Sequence, residues 1–283
     1  MGERLAIDRR PHVISASRRT DIPSFQADWF FKQLAQGWVE VRNPWNARQR
    51  RVISLAPEDV TCFVFWTRDP RPMMEHLEKL QAYQYLVHYT VNAYGPPLEP
   101  DAPSLEYSVR TIRELAARAG RERIIWRYDP VVLTGPHDEA WHRAAFAELA
   151  EKLSGWVRHC VISVYDTYRC AQARIRAAGL AVPALSELQE DYVRLLAMLV
   201  KIAHDSNMPV ALCAEPSLHD VPGISQIACI DESMIRELAS PVHVPGRDRY
   251  QREGCTYLES VDIGAYGTCK RHCLYCYARR GRG

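Results

Sequence analysis

Along the chain, short runs of β-branched and aromatic residues alternate with longer stretches in which apolar positions recur every three or four residues. The short runs predict strands at His12–Ser15, Trp38–Val41, Cys62–Trp66, Tyr85–Thr90, Ile124–Tyr128, Cys160–Tyr165, Pro209–Cys213, Ile227–Ile230 and Tyr257–Val261. The helical period predicts helices over Asp28–Gln36, closed by Gly37, over Pro70–Leu80, and over Ser104–Ala119, closed by Gly120. Glu139–Leu153 follows a Gly-Pro turn, and Glu187–His204 carries a stripe of Leu188, Tyr192, Leu195, Leu196 and Leu199.

Repeated strand–helix alternation implies parallel strands joined by right-handed crossovers. About eight such units in 283 residues predict one α/β domain over 1–283, a (β/α)₈ or TIM-like barrel. A doubly wound open sheet is the alternative, weakened by the lack of any G-x-G-x-x-G or Walker pattern. Nine strand candidates exceed eight by one, and Trp38–Val41 is the one assigned to an edge or irregular segment.

In a barrel the strand ends share one rim, where active sites are built. Those ends are polar here: Ser17, Arg18, Arg19 and Asp21 after the first strand, Thr67-Arg68-Asp69 after the third, Arg127 and Asp129 at the fifth, Tyr165-Asp166 at the sixth. Arg18, Arg19, Asp21, Arg127 and Asp129 are the candidate catalytic residues. Guanidinium forks clamp carboxylates or phosphates bidentately. The alternatives are salt bridges for these residues and helix caps for Asp21, Asp69 and Asp166. His88, on an apolar strand, reads equally as a core histidine.

Charge and composition narrow the classes. The net charge of +2 gives no electrostatic case for nucleic acid. No run approaches the roughly 18 apolar residues of a membrane span, and the first residues lack the apolar stretch of a signal peptide. A cytoplasmic address is the expectation, and it argues against reading the nine cysteines as a disulfide framework.

The distribution of those cysteines changes the picture. Cys62, Cys160 and Cys170 are scattered, as buried small hydrophobes are. Cys269, Cys273 and Cys276 form a C-x₃-C-x₂-C cluster near the C-terminus, within a loop over 255–283. Soft thiolates select zinc, copper(I) or an iron–sulfur cluster. Three ligands leave one iron of a [4Fe–4S] cube open to another molecule, since the cube normally takes four cysteines. A structural zinc site completed by His272 or Cys255 is the competing reading. Cys213, Cys229 and Cys255 are left over, and the first two end consecutive predicted strands. They are candidates for a second iron–sulfur cluster or a zinc ion, with core packing as the alternative for Cys229.

The segment Cys269-Lys-Arg-His-Cys273-Leu-Tyr275-Cys276 resembles the radical S-adenosylmethionine superfamily signature, C-x₃-C-x-aromatic-C. The resemblance implies that the three cysteines hold a [4Fe–4S] cluster and that S-adenosyl-L-methionine chelates the fourth iron. It also implies that Tyr275 packs near the adenine, with Ser17 and Asp262 as further cofactor-binding candidates. An electron donor such as flavodoxin or ferredoxin follows from the same chemistry. The superfamily motif usually follows the first barrel strand, whereas here it comes last, which implies a circularly permuted barrel. Over its full length the chain also resembles an uncharacterised bacterial family that pairs I-S-A-S-R-R-T-D-I-P, here Ile14–Pro23, with S-V-D-I-G-x-Y-x-T-C-x₃-C-x-Y-C-Y-A, here Ser260–Ala278 and including Tyr277. A redox or electron-transfer iron–sulfur protein, a zinc-dependent barrel hydrolase and a nucleic-acid repair enzyme are the competing functions. Arg279–Arg282 reads as a solvated basic tail.

Overall fold

A computed structural model describes residues 5–213, 215, 218, 221–238, 243–249 and 255–279. In chain order the first elements are β1 (Ile7–Asp8), β2 (His12–Ala16), α1 (Ile22–Phe25), α2 (Ala27–Gln36), β3 (Trp38–Asn43) and β4 (Asn46–Ser54). Next come β5 (Val60–Thr67), α3 (Arg71–Met74), β6 (Tyr85–Thr90), α4 (Leu105–Ala119), β7 (Ile124–Val131), α5 (Glu139–Leu153) and β8 (His159–Val164). The last are α6 (Arg169–Ala177), α7 (Gln189–Asp205), β9 (Val210–Cys213), β10 (Ser225–Ile227), α8 (Glu232–Leu238) and β11 (Ser260–Asp262).

Eight strands form one parallel sheet in the order β10-β9-β8-β7-β6-β5-β2-β11. Its members are eight of the nine predicted strands. The ninth, at Trp38, lies apart in β3, which pairs antiparallel with β4 in a small sheet completed by β1. β4 itself escapes the pattern, because Asn46–Arg51 is a polar run on an exposed hairpin.

The order is sequential along the chain, except that the last strand lies against the first. β10 and β11 are consecutive yet occupy opposite edges. Those edges approach each other: Leu258 N donates to Ile230 O at 3.1 Å. Among the described residues no strand ladder joins them, so the ring expected of a barrel is not closed by strand pairing. The architecture is a TIM-like parallel α/β sheet.

The period of two along each strand separates two cores. Phe63, Phe65, Val87, Tyr89, Trp126 and Tyr128 face the helices, where α4, α5 and α7 supply Ile112, Phe146, Leu149, Leu195 and Leu199. Val13, Cys62, Val64, Leu86, Ile125 and Val161 alternate with them and form a second cluster with Ile230, Met234 and Tyr257. Strands buried on both faces read as near-continuous apolar runs, which is why these were visible in the sequence.

Three boundaries move. The helix expected over Pro70–Leu80 is broken into α3 and a 3₁₀ turn at Leu77–Leu80; its apolar stripe survives, but the later turns close through i→i−3 bonds such as Lys79 N to His76 O. The strand expected at Ile227–Ile230 pairs only through Ile227, and that at Tyr257–Val261 joins the parallel sheet from Ser260, with Leu258 bridging instead to Arg247. Cys170, expected to be buried, is exposed on α6, whereas Cys62 and Cys160 are core residues. No described helix is long and apolar enough to cross a membrane.

Two core histidines make the fold pH-sensitive. His142 is fully buried, with its ring nitrogens 2.8 Å from Tyr128 Oη and 3.2 Å from Val132 O. Burial pushes both His142 and His159 down to about 4, so each is neutral in the fold while its unfolded counterpart titrates near 6.5. Between those values the unfolded chain binds more protons, so stability is complete above pH 6.5 and falls toward pH 4. The expected loss is on the order of 3 kcal/mol for each histidine. Urea midpoints from pH 7 to 4 measure it, and His142→Gln should reduce the slope without abolishing it, because burial also lowers His159 and the fully buried His88.

Candidate active site

The site begins where the two most distant parts of the sequence meet. β11 lies parallel to β2 with Asp262 opposite Ser15. The buried Asp262 carboxylate accepts from Ser15 Oγ (3.0 Å), Ser17 Oγ (2.6 Å), Arg18 N (2.9 Å) and Gly264 N (2.9 Å). Arg19 Nε stands 3.9 Å away. Ser17 and Asp262, both predicted, are therefore parts of one knot. Gly264 is required there by close approach, because a methyl group would overlap Ser17 Oγ and Cβ.

Beside the knot a cavity of ≈ 470 Å³ opens at the C-terminal ends of the parallel strands. Of the predicted residues, Arg18, Arg19, Arg127, Asp129, Asp262, Cys213, Cys229 and Cys255 all line it. Arg127 donates to Asp129 Oδ2 through Nε (3.0 Å) and Nη2 (2.5 Å), and Ser163 Oγ donates to Oδ1. Burial works to raise the Asp129 carboxyl, but the Arg127 guanidinium more than offsets it and holds the group below the ordinary carboxylate range. Arg127 also lies over Trp66, which stacks on the fully buried His88 with ring centroids 4.3 Å apart. Arg18 lies 4.3 Å over the Tyr257 ring.

Asp21 does not line the cavity. It caps α1 through Ser24 N (3.0 Å) and accepts from Thr67 Oγ1 (2.7 Å) and Arg68 N (3.0 Å), tying the end of β2 to the end of β5. The capping alternative is thus realised, and burial raises the Asp21 carboxyl.

The cysteine loop packs on the same end of the sheet. Residues 263–279 contain turns and no helix. Thr268 Oγ1 donates to Thr20 Oγ1 (2.9 Å), Leu274 N to Leu98 O (2.9 Å), and Arg174 reaches the carbonyls of Leu274, Cys276 and Arg279. Cys273 is buried, which pushes its thiol up to about 12; Cys269 and Cys276 are partly exposed. Burial also raises the Cys269 thiol, and the neighbouring Cys276 sulfur adds to the rise at both Cys269 and Cys273. Among the described residues no three His, Cys, Asp or Glu side chains converge as ligands of one ion. Cluster ligands bind separate irons and so stand wider apart than ligands of a single ion. His272 turns outward, with Nδ1 2.7 Å from Asp101 Oδ2. Arg279 braces the loop through His272 O (3.0 Å) instead of trailing as a tail; Arg280–Arg282 lie outside the described residues.

Tyr275 is placed away from the cavity wall. Its hydroxyl donates to Glu99 Oε1 and accepts from Arg68 Nη2, and Arg68 and Glu99 form a buried two-pronged pair at 2.9 and 2.7 Å. The aromatic residues that face the cavity from this loop are Tyr266 and Tyr277; Tyr277 donates to Arg18 O at 2.9 Å. Tyr277 was legible as part of the cysteine motif. Glu99, in an irregular Pro-rich loop, had no periodic signal.

Cys213 and Cys229 meet, their sulfurs 2.7 Å apart, with Arg127 Nη1 3.4 Å from Cys229 Sγ. The contact with Cys213 and the nearby guanidinium hold Cys229 below the ordinary thiol range, while the same contact pushes Cys213 up. Cys255 is on the same cavity wall and packs against the inner core.

Four donors depend on the Asp262 carboxylate, and orphaning buried donors costs about 1–3 kcal/mol each before water compensates. Asp262→Ala should therefore lower stability by about 3 kcal/mol or more, and open the 263–279 loop to limited proteolysis. A urea midpoint unchanged from the parent would contradict the role given to this knot.

No curated protein matches the chain. Among solved structures it is similar to a D-hydantoinase from a Bacillus species, at 8% identity and a TM-score of 0.35. That match covers 78% of this chain and 46% of the hydantoinase, so the chain spans less than half of that protein's length. The profile described as "Domain of unknown function (DUF1848)" matches residues 13–278, nearly the whole length, and the chain belongs to that family.

Proposed function

We propose that this protein is a radical S-adenosylmethionine-type enzyme, with Cys269, Cys273 and Cys276 as ligands of a [4Fe–4S] cluster and the adjoining cavity as its reaction chamber. The observation that carries the reading is the loop's position: it packs on the C-terminal rim of a parallel sheet with three neighbouring thiols, and its Tyr266 and Tyr277, though none of those thiols, wall a cavity rich in arginine and carboxylate. The donor set fits, since soft sulfur ligands suit such clusters and His272 is engaged by Asp101. When bound, a cluster with one iron free of cysteine supplies the electron that cleaves the sulfonium of S-adenosyl-L-methionine to a 5′-deoxyadenosyl radical.

The chain's own residues bind, orient and shield. Arg18 and Arg19 offer guanidinium donors for the carboxylate of the cofactor or of an anionic substrate. Asp129, kept ionised by Arg127, accepts from ribose or substrate hydroxyls. Tyr266 and Tyr277 wall the chamber on the loop side and limit water. Arg68, Glu99 and Tyr275 pin the loop from beneath, a positioning role. The exposed Lys270 puts a positive charge on the loop's outer side, suited to an acidic electron carrier such as flavodoxin or ferredoxin.

In this reading β11 is the strand that leads into the cluster loop, as the first strand does in the superfamily. On this reading its place beside β2 corresponds to a circularly permuted barrel, with Leu258 N and Ile230 O meeting between the β11 and β10 edges. An oxygen-labile centre also suits the reducing cytoplasm.

Anaerobic reconstitution with iron and sulfide tests the proposal. The parent chain should take up about four irons, as a [4Fe–4S] cube requires, and form 5′-deoxyadenosine from S-adenosyl-L-methionine once reduced. Cys269→Ala, Cys273→Ala and Cys276→Ala should each abolish product. Product formation that survives all three changes, or tetrahedral zinc in place of iron, would sink it.

A further inference from the structure

We infer that Cys213 and Cys229 form a thiol–disulfide exchange site on the wall of the cavity, its co-substrate a low-molecular-weight disulfide. Their sulfurs, 2.7 Å apart, are nearer than two unbonded sulfurs ordinarily come. That spacing separates this role from metal binding. Two thiolates on one tetrahedral zinc, each about 2.3 Å from the ion, stand about 3.8 Å apart. Ligands on separate irons of a cluster stand farther still. A disulfide, with sulfurs about 2.0 Å apart, needs only a small closing movement.

The backbone brings the pair together. Cys213 is the last residue of β9 and pairs in register with Ile227. Two residues later the chain bends, and Cys229 folds over the strand end. The two thiols are not equivalent. Cys213 is nearly sealed, whereas Cys229 is partly exposed, and Arg127 Nη1 approaches its sulfur at 3.4 Å. A nearby guanidinium favours the thiolate, the attacking form in exchange. Cys229 is therefore the nucleophile and Cys213 the resolving thiol.

The exchange balances in two steps. The Cys229 thiolate attacks one sulfur of R–S–S–R, forming the mixed disulfide Cys229–S–S–R and releasing one thiolate RS⁻. Cys213 then attacks Cys229 Sγ, giving up its proton, and the second RS⁻ leaves. Two protein thiols lose two electrons and two protons, and the small disulfide becomes two thiols. The product bond ties the end of β9 to the segment after β10, and takes the Cys229 thiolate off the cavity wall. Redox-active pairs of this kind are the usual form of disulfide in a reducing compartment.

Hydroxyethyl disulfide is a suitable small, neutral probe. The purified, fully reduced full-length chain is incubated with it anaerobically, quenched in acid, alkylated and digested without reductant. The expected result is loss of two of the nine alkylatable thiols and a cross-linked peptide pair holding Cys213 and Cys229. Cys213→Ser should stop at the mixed disulfide on Cys229. Cys229→Ser should slow reaction at Cys213 at least tenfold. Both cysteines remaining fully alkylated in the folded chain would overturn the assignment. So would iron or zinc that purifies with the parent chain and is lost in either serine variant. S-adenosyl-L-methionine takes no part in the readout, so Cys269→Ala should cross-link like the parent whatever the fate of the cluster proposal.

Discussion

The pairing of β11 with β2 is the constraint on which the rest depends. It sets Asp262 against Ser15 across 247 residues of sequence, at the edge of an otherwise sequential parallel sheet. A parallel contact over such a separation gains nothing until the intervening chain is ordered, so its loop-closure cost falls on the whole fold. The carboxylate then repays local order. One donor from β2, two from the turn after it and one from the loop after β11 converge on it, and the cysteine segment leaves from that point.

Burial of charge follows the same economy of partners. An ion removed from water is tolerated when its hydrogen bonds are replaced, and each deeply buried arginine here meets a carboxylate. Arg127 binds Asp129 inside the cavity, and Arg68 binds Glu99 beneath the loop. Their effects differ because their neighbours differ. The Arg127 pair lies open to whatever enters the cavity. The Arg68 pair, at the edge of a separate cavity, is bound by the Tyr275 hydroxyl and Asn92, which makes it a fastening for the loop.

Much of this was legible in one dimension. Strands buried on both faces announce themselves as apolar runs, and the six inner strands were found at nearly their observed places, while the predictions for the two edge strands overlap β10 and β11 only in part. The hairpin strand Asn46–Ser54 was not, because most of its length is polar, arginine-rich and exposed, and only its last residues, Ile53 and Ser54, are buried. Arg18, Arg19, Arg127 and Asp129 could be named because strand ends in a parallel α/β sheet share one rim. Asp21 satisfied the same rule and still went elsewhere: its carboxylate found backbone and hydroxyl donors at the head of α1. Tyr275 was matched to a cofactor by its position in a motif, yet its side chain points into the Glu99 network. Sequence spacing carries no information about that direction.

By itself the sequence determined the alternation of strands and helices, the parallel class of the sheet, and the presence of three closely spaced thiols on a terminal loop. Each of these is a local property, set by period, turn residues and spacing within a few tens of positions. Tertiary structure alone decided that the last strand lies beside the first, that Cys213 touches Cys229, and which tyrosines face the cavity. Those outcomes depend on packing between segments far apart in the chain, where the free energy belongs to the contact and to neither segment alone.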